Sequence, residues 1–292
     1  MVPFPIIPEK TKNKLIFSTL SATLLLILWA LSFRVAGGSS DKPLLTISFY
    51  DVGQGDAILV TKGETQIVVD GGPNDNILSY LGQDLPPWDR KIELMVLTHP
   101  HADHLTGLLS VLEHYQVERI LFYPVVYETR GYQKFLKAIE DEGAVILRGE
   151  SGVAVELSGV TLKILWPREG FSDTENVNNS SVVLAVSYGE FDALLLGDAE
   201  KEAQIRFLSI TPEVEVLKIA HQGSRDGTYE PLLRQASPEL AVISVGKNSY
   251  GHPHACVLSL LKQLGIAVAR TDLSGTIKVM SDGAKFWYDT AR

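Results

Sequence analysis

Three imidazoles and a carboxylate fall within six consecutive residues, His99-Pro100-His101-Ala102-Asp103-His104. Neutral imidazole and carboxylate are the ligands that zinc, manganese and iron accept, and the oxygen donor admits harder ions too. The chain holds seven histidines in all, so three in one short stretch argue against an ordinary polar loop. The alternative role for Asp103, capping a helix N-terminus, is one that aspartate fills well. Three apolar runs end in further donors: Val68-Val69-Asp70-Gly71-Gly72, Leu194-Leu195-Leu196-Gly197-Asp198, and Val216-Leu217-Lys218-Ile219-Ala220-His221. Asp70 could orient a ligating imidazole from behind or form an Asp-Gly turn. Asp198 could bridge two metals through its oxygens or cap a helix starting near Ala199. Ser224, after Gly223, could bind a phosphate oxygen or start a turn. His252, in Tyr250-Gly251-His252-Pro253-His254 before a helix, could contact an anionic substrate.

These donors need strand ends and helix starts to bring them together. Leu94 to Leu97 is a short apolar run of buried-strand type, and Leu105 to Leu112 has helical spacing, so the histidine-rich stretch is expected to be a strand-to-helix turn. His99 and His101, alternating as they leave the strand, can point at one metal; Asp103 and His104, on the first turn, can point at a second. Before this turn, Leu45 to Tyr50, Ala57 to Thr61 and Gln66 to Val69 read as three antiparallel strands. After it, strands at 119–122 and 144–147 alternate with a helix at 131–142. The second half repeats the theme. Strands near 160–165, 181–187, 193–196, 215–219 and 240–244 are interleaved with helices at 200–208, 229–235 and 255–264. Two such halves predict two sheets packed face to face with helices outside.

Composition limits the possibilities further. The 292 residues are 45% apolar and 21% charged, with 24 glycines, enough for one sizeable domain and an accessory segment. Lys10, Lys12 and Lys14 precede an uncharged stretch from Leu15 to Phe33 that is close to the roughly 20 apolar residues needed to cross a ~30 Å bilayer core. The expected organisation is a cytoplasmic segment 1–14, a transmembrane anchor or signal peptide 15–36, a linker 37–43 and a globular domain 44–292 that carries the donor residues. The preceding lysines favour translocation of the domain out of the cytoplasm. Cleavage would release it as a secreted protein, but the apolar core is long for a signal peptide and its cleavage sites are poor, so an uncleaved anchor is favoured. Cys256 is the sole cysteine, which excludes an intrachain disulfide. A net charge of -9 gives no general attraction for nucleic acid, so a phosphate substrate must be drawn by local positive charge, which bound metal supplies.

Taken in order, Asp51-Val52-Gly53-Gln54-Gly55-Asp56-Ala57, Val69-Asp70-Gly71-Gly72, the histidine-rich turn, Asn178-Asn179-Ser180-Ser181, Leu196-Gly197-Asp198, His221-Gln222-Gly223-Ser224 and Tyr250-Gly251-His252-Pro253 resemble the metallo-β-lactamase superfamily. Within it, they resemble the hydrolase domain of ComEC-type competence and DNA-uptake proteins. The resemblance runs from about Thr46 to the C-terminus. It implies an α/β fold, a four-layer αββα sandwich, with a two-metal site (zinc or manganese) at one sheet edge. By resemblance His99 and His101 serve the first metal, Asp103, His104 and His221 the second, and Asp198 bridges. Asp103 and Asp198 are then the catalytic carboxylates, Asp56 and Asp70 support the ligands, and Asn179, Ser224 and His252 contact substrate. Two features depart from the pattern. No histidine lies between His114 and His221 to complete the first metal, where Asn178 or Asn179 stands instead. Gln222 replaces the second member of a usual His pair.

The expected activity is two-metal phosphodiester hydrolysis, with nucleic acid as substrate, single-stranded DNA included, and the membrane as a partner through the N-terminal helix. The missing imidazole shifts the metal preference towards manganese, with zinc still acceptable. The branch's full-length members also carry a multi-helix channel domain, so this chain is not expected to form a DNA channel by itself. The rival readings are a hydrolase of another phosphoester or ester, lipid- or cell-wall-linked, and a non-catalytic metal-stabilised module.

Overall fold

A computed structural model describes residues 43–292. The expected N-terminal segment 1–14, the apolar span 15–36 and all of the linker but its last residue lie outside the described residues. Among the described residues, no helix is long and apolar enough to cross a membrane.

Two sheets form the body of the fold. The first half of the chain supplies β1 (Leu45–Phe49), β2 (Ala57–Lys62), β3 (Thr65–Gly71), α1 (Asn76–Asp84), β4 (Lys91–Ile92), β5 (Leu94–Leu97), α2 (Ala102–His114), β6 (Gln116–Val117), β7 (Arg119–Phe122), α3 (Arg130–Glu142) and β8 (Val145–Arg148). The second half supplies β9 (Ala154–Leu157), β10 (Val160–Trp166), β11 (Val183–Tyr188), β12 (Phe191–Leu195), α4 (Lys201–Phe207), β13 (Val216–Lys218), α5 (Glu230–Ala236), β14 (Leu240–Ile243), α6 (Ala255–Gln263), β15 (Ala267–Arg270), α7 (Thr271–Ser274), β16 (Ile277–Ser281) and β17 (Phe286–Thr290). The first sheet runs β17-β16-β1-β2-β3-β5-β7-β8 and the second β15-β14-β13-β12-β11-β10-β9; β4 and β6 form a small parallel pair of their own.

Alternation of side chains along the strands sorts the apolar residues into three cores. Ile58, Val60, Val69 and Val96 from the first sheet meet Leu184, Ala193, Val216 and Val242 from the second in a core between the sheets. The residues between them face outward: Leu59, Val68 and Met95 pack under Ile77, Leu108 and Phe135 of α1, α2 and α3. On the second sheet Leu194, Leu217 and Ala241 pack under Ala203, Leu232 and Leu261 of α4, α5 and α6. The order is therefore helices, sheet, sheet, helices. Strands covered on both faces cannot alternate apolar with polar residues, which is why β3 and β5 read as nearly unbroken apolar runs.

The expected strand-to-helix units are present, with some differences. Helix α2 begins three residues earlier than its apolar spacing suggests, so Asp103 and His104 both lie on its first turn. Helix α1 and strand β9 were not foreseen from sequence, being short segments beside turn-forming residues. The final strands do not extend the second sheet. Instead β16 pairs antiparallel with β1, Val279 opposite Ile47, and closes the first sheet.

Helix α2 lies unusually close to β3. A Cβ placed on Gly107 would sit 1.9 Å from Gly71 O, and one on Gly71 would sit 2.3 Å from Leu108 N. Gly107 N donates to Gly72 O at 3.1 Å across the same contact. This approach brings the end of β3, with Asp70, against the start of α2, with His104.

Candidate metal centre

The histidine-rich turn links β5 to α2 at the edge where the parallel strands end. His101 occupies the position that caps α2, with an extended backbone and no capping side-chain bond. Asp103 is thus not the cap, and its side chain is one-third exposed at the mouth of the site, Oδ2 3.8 Å from His104 Nε2. The segment is pinned from the far side by Asp56 N, which donates to Asp103 O at 3.2 Å.

Hydrogen-bond partners set the tautomer of each imidazole. Asp70 is buried, with φ of 58°, a left-handed conformation that aspartate tolerates better than most residues. Its Oδ1 accepts from Thr98 N at 2.8 Å, and its Oδ2 accepts from Thr98 Oγ1 at 2.7 Å and from His104 Nδ1 at 2.8 Å. Thr98 Oγ1, its proton given to Asp70, can accept from His99 Nδ1 at 3.2 Å. Both imidazoles therefore keep a proton on Nδ1 and turn Nε2 inward, the atom left to meet a cation or a further proton. Those atoms face a carboxylate oxygen: Asp198 Oδ2 is 3.3 Å from His104 Nε2 and 3.8 Å from His99 Nε2. His101 Nδ1 joins them, 3.0 Å from His99 Nε2.

Asp70→Asn is expected to place an amide N–H against two donors and drive the His104 proton onto Nε2. Metal affinity should fall 10- to 100-fold, with a stability loss of about 1–3 kcal/mol, read by chelator competition and urea denaturation. Unchanged metal affinity would refute the orienting role.

Asp198 and His221 come from the second sheet. Asp198 follows β12 after Gly197; the capping position of α4 belongs to Glu200, so Asp198 is not the cap. Asp198 Oδ1 accepts from His221 N at 3.2 Å, and Gln222 Nε2 donates to both oxygens, 3.4 Å from Oδ1 and 3.3 Å from the Oδ2 that also faces the imidazoles. His221 and Gln222 both adopt left-handed backbone, φ of 49° and 48°, a costly conformation for such residues that persists where the surroundings enforce it. The turn aims His221 Nε2 at Asp198 Oδ2, 3.9 Å away, while Nδ1 is held by Glu200 Oε1 at 3.1 Å. Gln222 is fixed in its turn: Gln54 Nε2 donates to its Oε1 at 3.3 Å, and Gly246 N donates to Gln54 Oε1 at 3.2 Å. Two amides thus connect the glycine loop before β2 to the Asp198 carboxylate.

The charge states suit a cation. Burial pushes the His99 imidazole well below its usual pKa, with His104 adding to the effect, so it is neutral. Burial acts on Asp198 in the direction of protonation, but His104, His99 and His221 outweigh it and hold the carboxylate well below its usual range. For His104 burial opposes a charge, yet Asp198, Asp70 and Asp103 overturn it and raise the pKa well above normal. A site where carboxylates favour a proton on imidazole also favours a metal cation in its place. His99, His104 and Asp198 bring ligand atoms within 4.8 Å of one another. This convergence of imidazole and carboxylate donors fits a divalent metal, which His99, His104 and Asp198 could hold, with His101, Asp103 and His221 beside them as further donors.

Behind the ligands lies a buried ion pair. Lys218, fully buried at the inner end of β13, bonds Asp56 Oδ2, which is 3.9 Å from His104 Nδ1. Burial raises the Asp56 carboxyl, and Asp198 and Asp70 add to it; Lys218 and His104 pull the other way, leaving it at about 6. Lys218→Met is expected to cost about 3–5 kcal/mol by leaving a buried carboxylate unpaired, and adding Asp56→Asn should recover much of it. Urea denaturation of the single and double variants checks this. Equal stability of Lys218→Met and the parent would overturn it.

The expected substrate residues are placed unevenly. Asn179 points away from the ligands, its Nδ2 donating to Asp173 Oδ2 at 2.9 Å. Asn178 is the member of the pair that reaches the centre: its Nδ2 donates to Glu200 Oε1 at 3.0 Å and lies 3.5 Å from His221 Nδ1. Ser224 Oγ accepts from Gly227 N at 2.7 Å and so is engaged in its turn. The His252 ring lies 5.4 Å from that of His221 at the rim, and burial, with His221 and His254 nearby, lowers it to about 4, so it is neutral. Glu200, Thr98 and Gln54 were missed from sequence. The available signals were that Glu200 follows Asp198 by two residues and that Gln54 sits inside the Asp51 to Asp56 glycine turn.

A mixed α/β fold carrying this imidazole and carboxylate cluster at a sheet edge defines a metal-dependent hydrolase. Residues 50–247 match the family model described as the metallo-beta-lactamase superfamily. ComE operon protein 3 of Bacillus subtilis is 30% identical over 80% of this chain and 32% of its own length. Recombination protein 2 of Haemophilus influenzae is 28% identical over 82% of this chain and 29% of its own. Competence protein ComA of Neisseria gonorrhoeae is 27% identical, over 87% and 34%. The chain belongs to the metallo-beta-lactamase superfamily, and these relatives mark its ComEC-type branch. It spans about a third of the length of those relatives. Among solved structures, the metallo-beta-lactamase fold protein YhfI from Bacillus subtilis shares the fold at a TM-score of 0.56 and 13% identity, covering 79% of this chain and 98% of that one. CmlA, a diiron beta-hydroxylase from Streptomyces venezuelae, does so at 0.53 and 13%, covering 81% and 54%.

Proposed function

We propose that the protein is a two-metal phosphodiesterase that cleaves DNA during uptake or extracytoplasmic processing, with its hydrolase domain held outside the cytoplasm by the apolar segment 15–36. The donor set carries this reading. Asp198 Oδ2 faces Nε2 atoms of His99, His104 and His221 from three separate elements, and with His101 and Asp103 the donors outnumber the four that a structural zinc takes. Divalent ions held there supply Lewis acidity and activate water for attack on a phosphodiester.

The chain's own residues perform the positioning. Asp70 holds the His104 tautomer, Glu200 holds that of His221, and the Gln54–Gln222 link fixes Asp198. Asn178 bonds Glu200 and approaches His221, and no further histidine in the sequence between His114 and His221 joins His99 and His101, a donor set that favours manganese while admitting zinc. The names of the competence and recombination relatives support DNA as the substrate. Lys10, Lys12 and Lys14 ahead of the apolar segment support the orientation.

Incubating the full chain with manganese or zinc separately, against single-stranded DNA, bis(p-nitrophenyl) phosphate and a simple ester, tests the activity. Metal-dependent cleavage of DNA, abolished by chelator, is expected. Intact DNA alongside hydrolysis of the small diester would sink the nuclease reading. For location, alkaline phosphatase fused after residue 43 should be active in cells, and an inactive, stable fusion would overturn the orientation.

A further inference from the structure

A groove of about 290 Å³ opens beside the ligands, between α2 and the loop that leads into α3. Pro100 and Ala102 line it. They alternate in sequence with His99, His101 and Asp103, so groove and ligand set are two sides of one backbone turn. Tyr127 lines the groove and stands at its junction with the metal centre, its ring packed edge-on against His101 with centroids 5.6 Å apart.

The charge of the groove differs from that of the chain. Arg130 and Lys134 line it, one turn of α3 apart, and no carboxylate does. Among the described residues neither cation pairs with an acid, whereas the nearby Lys137 lies 3.2 Å from Asp141. Further along, beyond Lys134, the depression between α2 and α3 is bordered by three carboxylates, Glu113, Asp141 and Glu142, against one further cation, Lys137, which is taken up by Asp141. The positive stretch is therefore short and adjoins the metal centre, in a chain whose net charge is -9. Two free cations in line with an aromatic ring match a polyanion that carries flat bases, and one aromatic platform with a line of cations suits a single strand.

We infer that this groove is the track for a single nucleic-acid strand at the metal centre, with Tyr127 stacking the base beside the scissile phosphate and Arg130 and Lys134 holding the phosphates that follow. The inference rests on the phosphodiesterase reading above and adds the path of the polymer. The acidic border past Lys134 repels phosphate and ends the track there, so contacts are confined to a few nucleotides.

The test is fluorescence anisotropy of labelled hexathymidylate with the full chain in chelator, paired with hydrolysis kinetics in manganese. Arg130→Glu combined with Lys134→Glu should weaken binding roughly ten-fold or more at low salt and flatten its salt dependence, by about 0.7 in logarithmic slope per lost contact. Tyr127→Ala should weaken binding roughly 5- to 100-fold, and Tyr127→Phe should retain it, because the ring supplies the stacking. In hydrolysis, the loss should appear in KM for the oligonucleotide and lower its kcat/KM relative to that for bis(p-nitrophenyl) phosphate. If the parent binds and cleaves the oligonucleotide and the charge-reversed variant does so equally, with the same salt dependence, the groove is not the track. If the parent turns over the small diester but neither binds nor cleaves the oligonucleotide, the DNA reading itself fails. Circular dichroism of each variant confirms that the fold is retained.

Discussion

Asp198→Ala is expected to lower hydrolysis of bis(p-nitrophenyl) phosphate by on the order of 10³-fold or more while leaving the fold intact, because it removes the one oxygen that all three inward Nε2 atoms share. That oxygen lies 3.3 Å from His104, 3.8 Å from His99 and 3.9 Å from His221. Removing any one imidazole leaves the other donors facing the carboxylate, but removing the carboxylate leaves neutral rings with nothing between them to offset the charge of bound metal. Metal bound per chain should fall as well, measured by mass spectrometry after equilibrium dialysis. Backbone contacts to the segment do not depend on the side chain, since His221 N also donates to Gly197 O at 3.2 Å, so the far-ultraviolet circular dichroism spectrum should not change. Turnover equal to that of the parent would refute the bridging role.

The largest effect on stability is expected at Gly107. Alanine there would put a methyl carbon 1.9 Å from Gly71 O and 2.7 Å from Asn74 O. Both are backbone atoms, so no rotamer change relieves the overlap, and α2 must move off β3. Separation would break the Gly107 N bond to Gly72 O and pull His104 away from Asp70. A loss above about 4 kcal/mol, or failure to accumulate as soluble protein, is expected for Gly107→Ala. Gly82→Ala in α1 is the control: nothing lies within 4 Å of the added carbon, and alanine should gain about 0.5–1 kcal/mol there as the better helix former. Urea denaturation separates the cases, and a Gly107→Ala midpoint matching that of the parent would show the contact to be permissive.

The histidine-rich turn was legible because its ligands are local. His99 and His101 alternate from a strand, Asp103 and His104 share a helical turn, and both periodicities can be read from one stretch of chain. The sheets were legible for a related reason: strands covered on both faces leave apolar runs such as Leu94 to Leu97 and Leu194 to Leu196. Helix α1 was not, because its buried residues are only Ile77 and Leu81, too few to show a period against neighbouring turn residues. The return of β16 to β1 was also invisible, since antiparallel pairing across more than two hundred residues leaves no local pattern. Which asparagine faces the metal centre was not legible either. Two adjacent asparagines are equivalent in sequence, and the 3-10 turn at Val177–Ser180 directs Asn178 to Glu200 and Asn179 to Asp173.

Sequence by itself determined the chemical inventory, the strand-to-helix turn and the αββα layering, because donor types and side-chain periodicity are properties of short segments. Tertiary structure decided which donors face one another and with which atom. The Nδ1 protons of His99, His104 and His221 are assigned by Thr98, Asp70 and Glu200, and Lys218 meets Asp56 across 162 residues. Such partners are selected by the packing of one sheet on the other, through contacts a few ångströms long between residues far apart in the chain, and no local pattern encodes them.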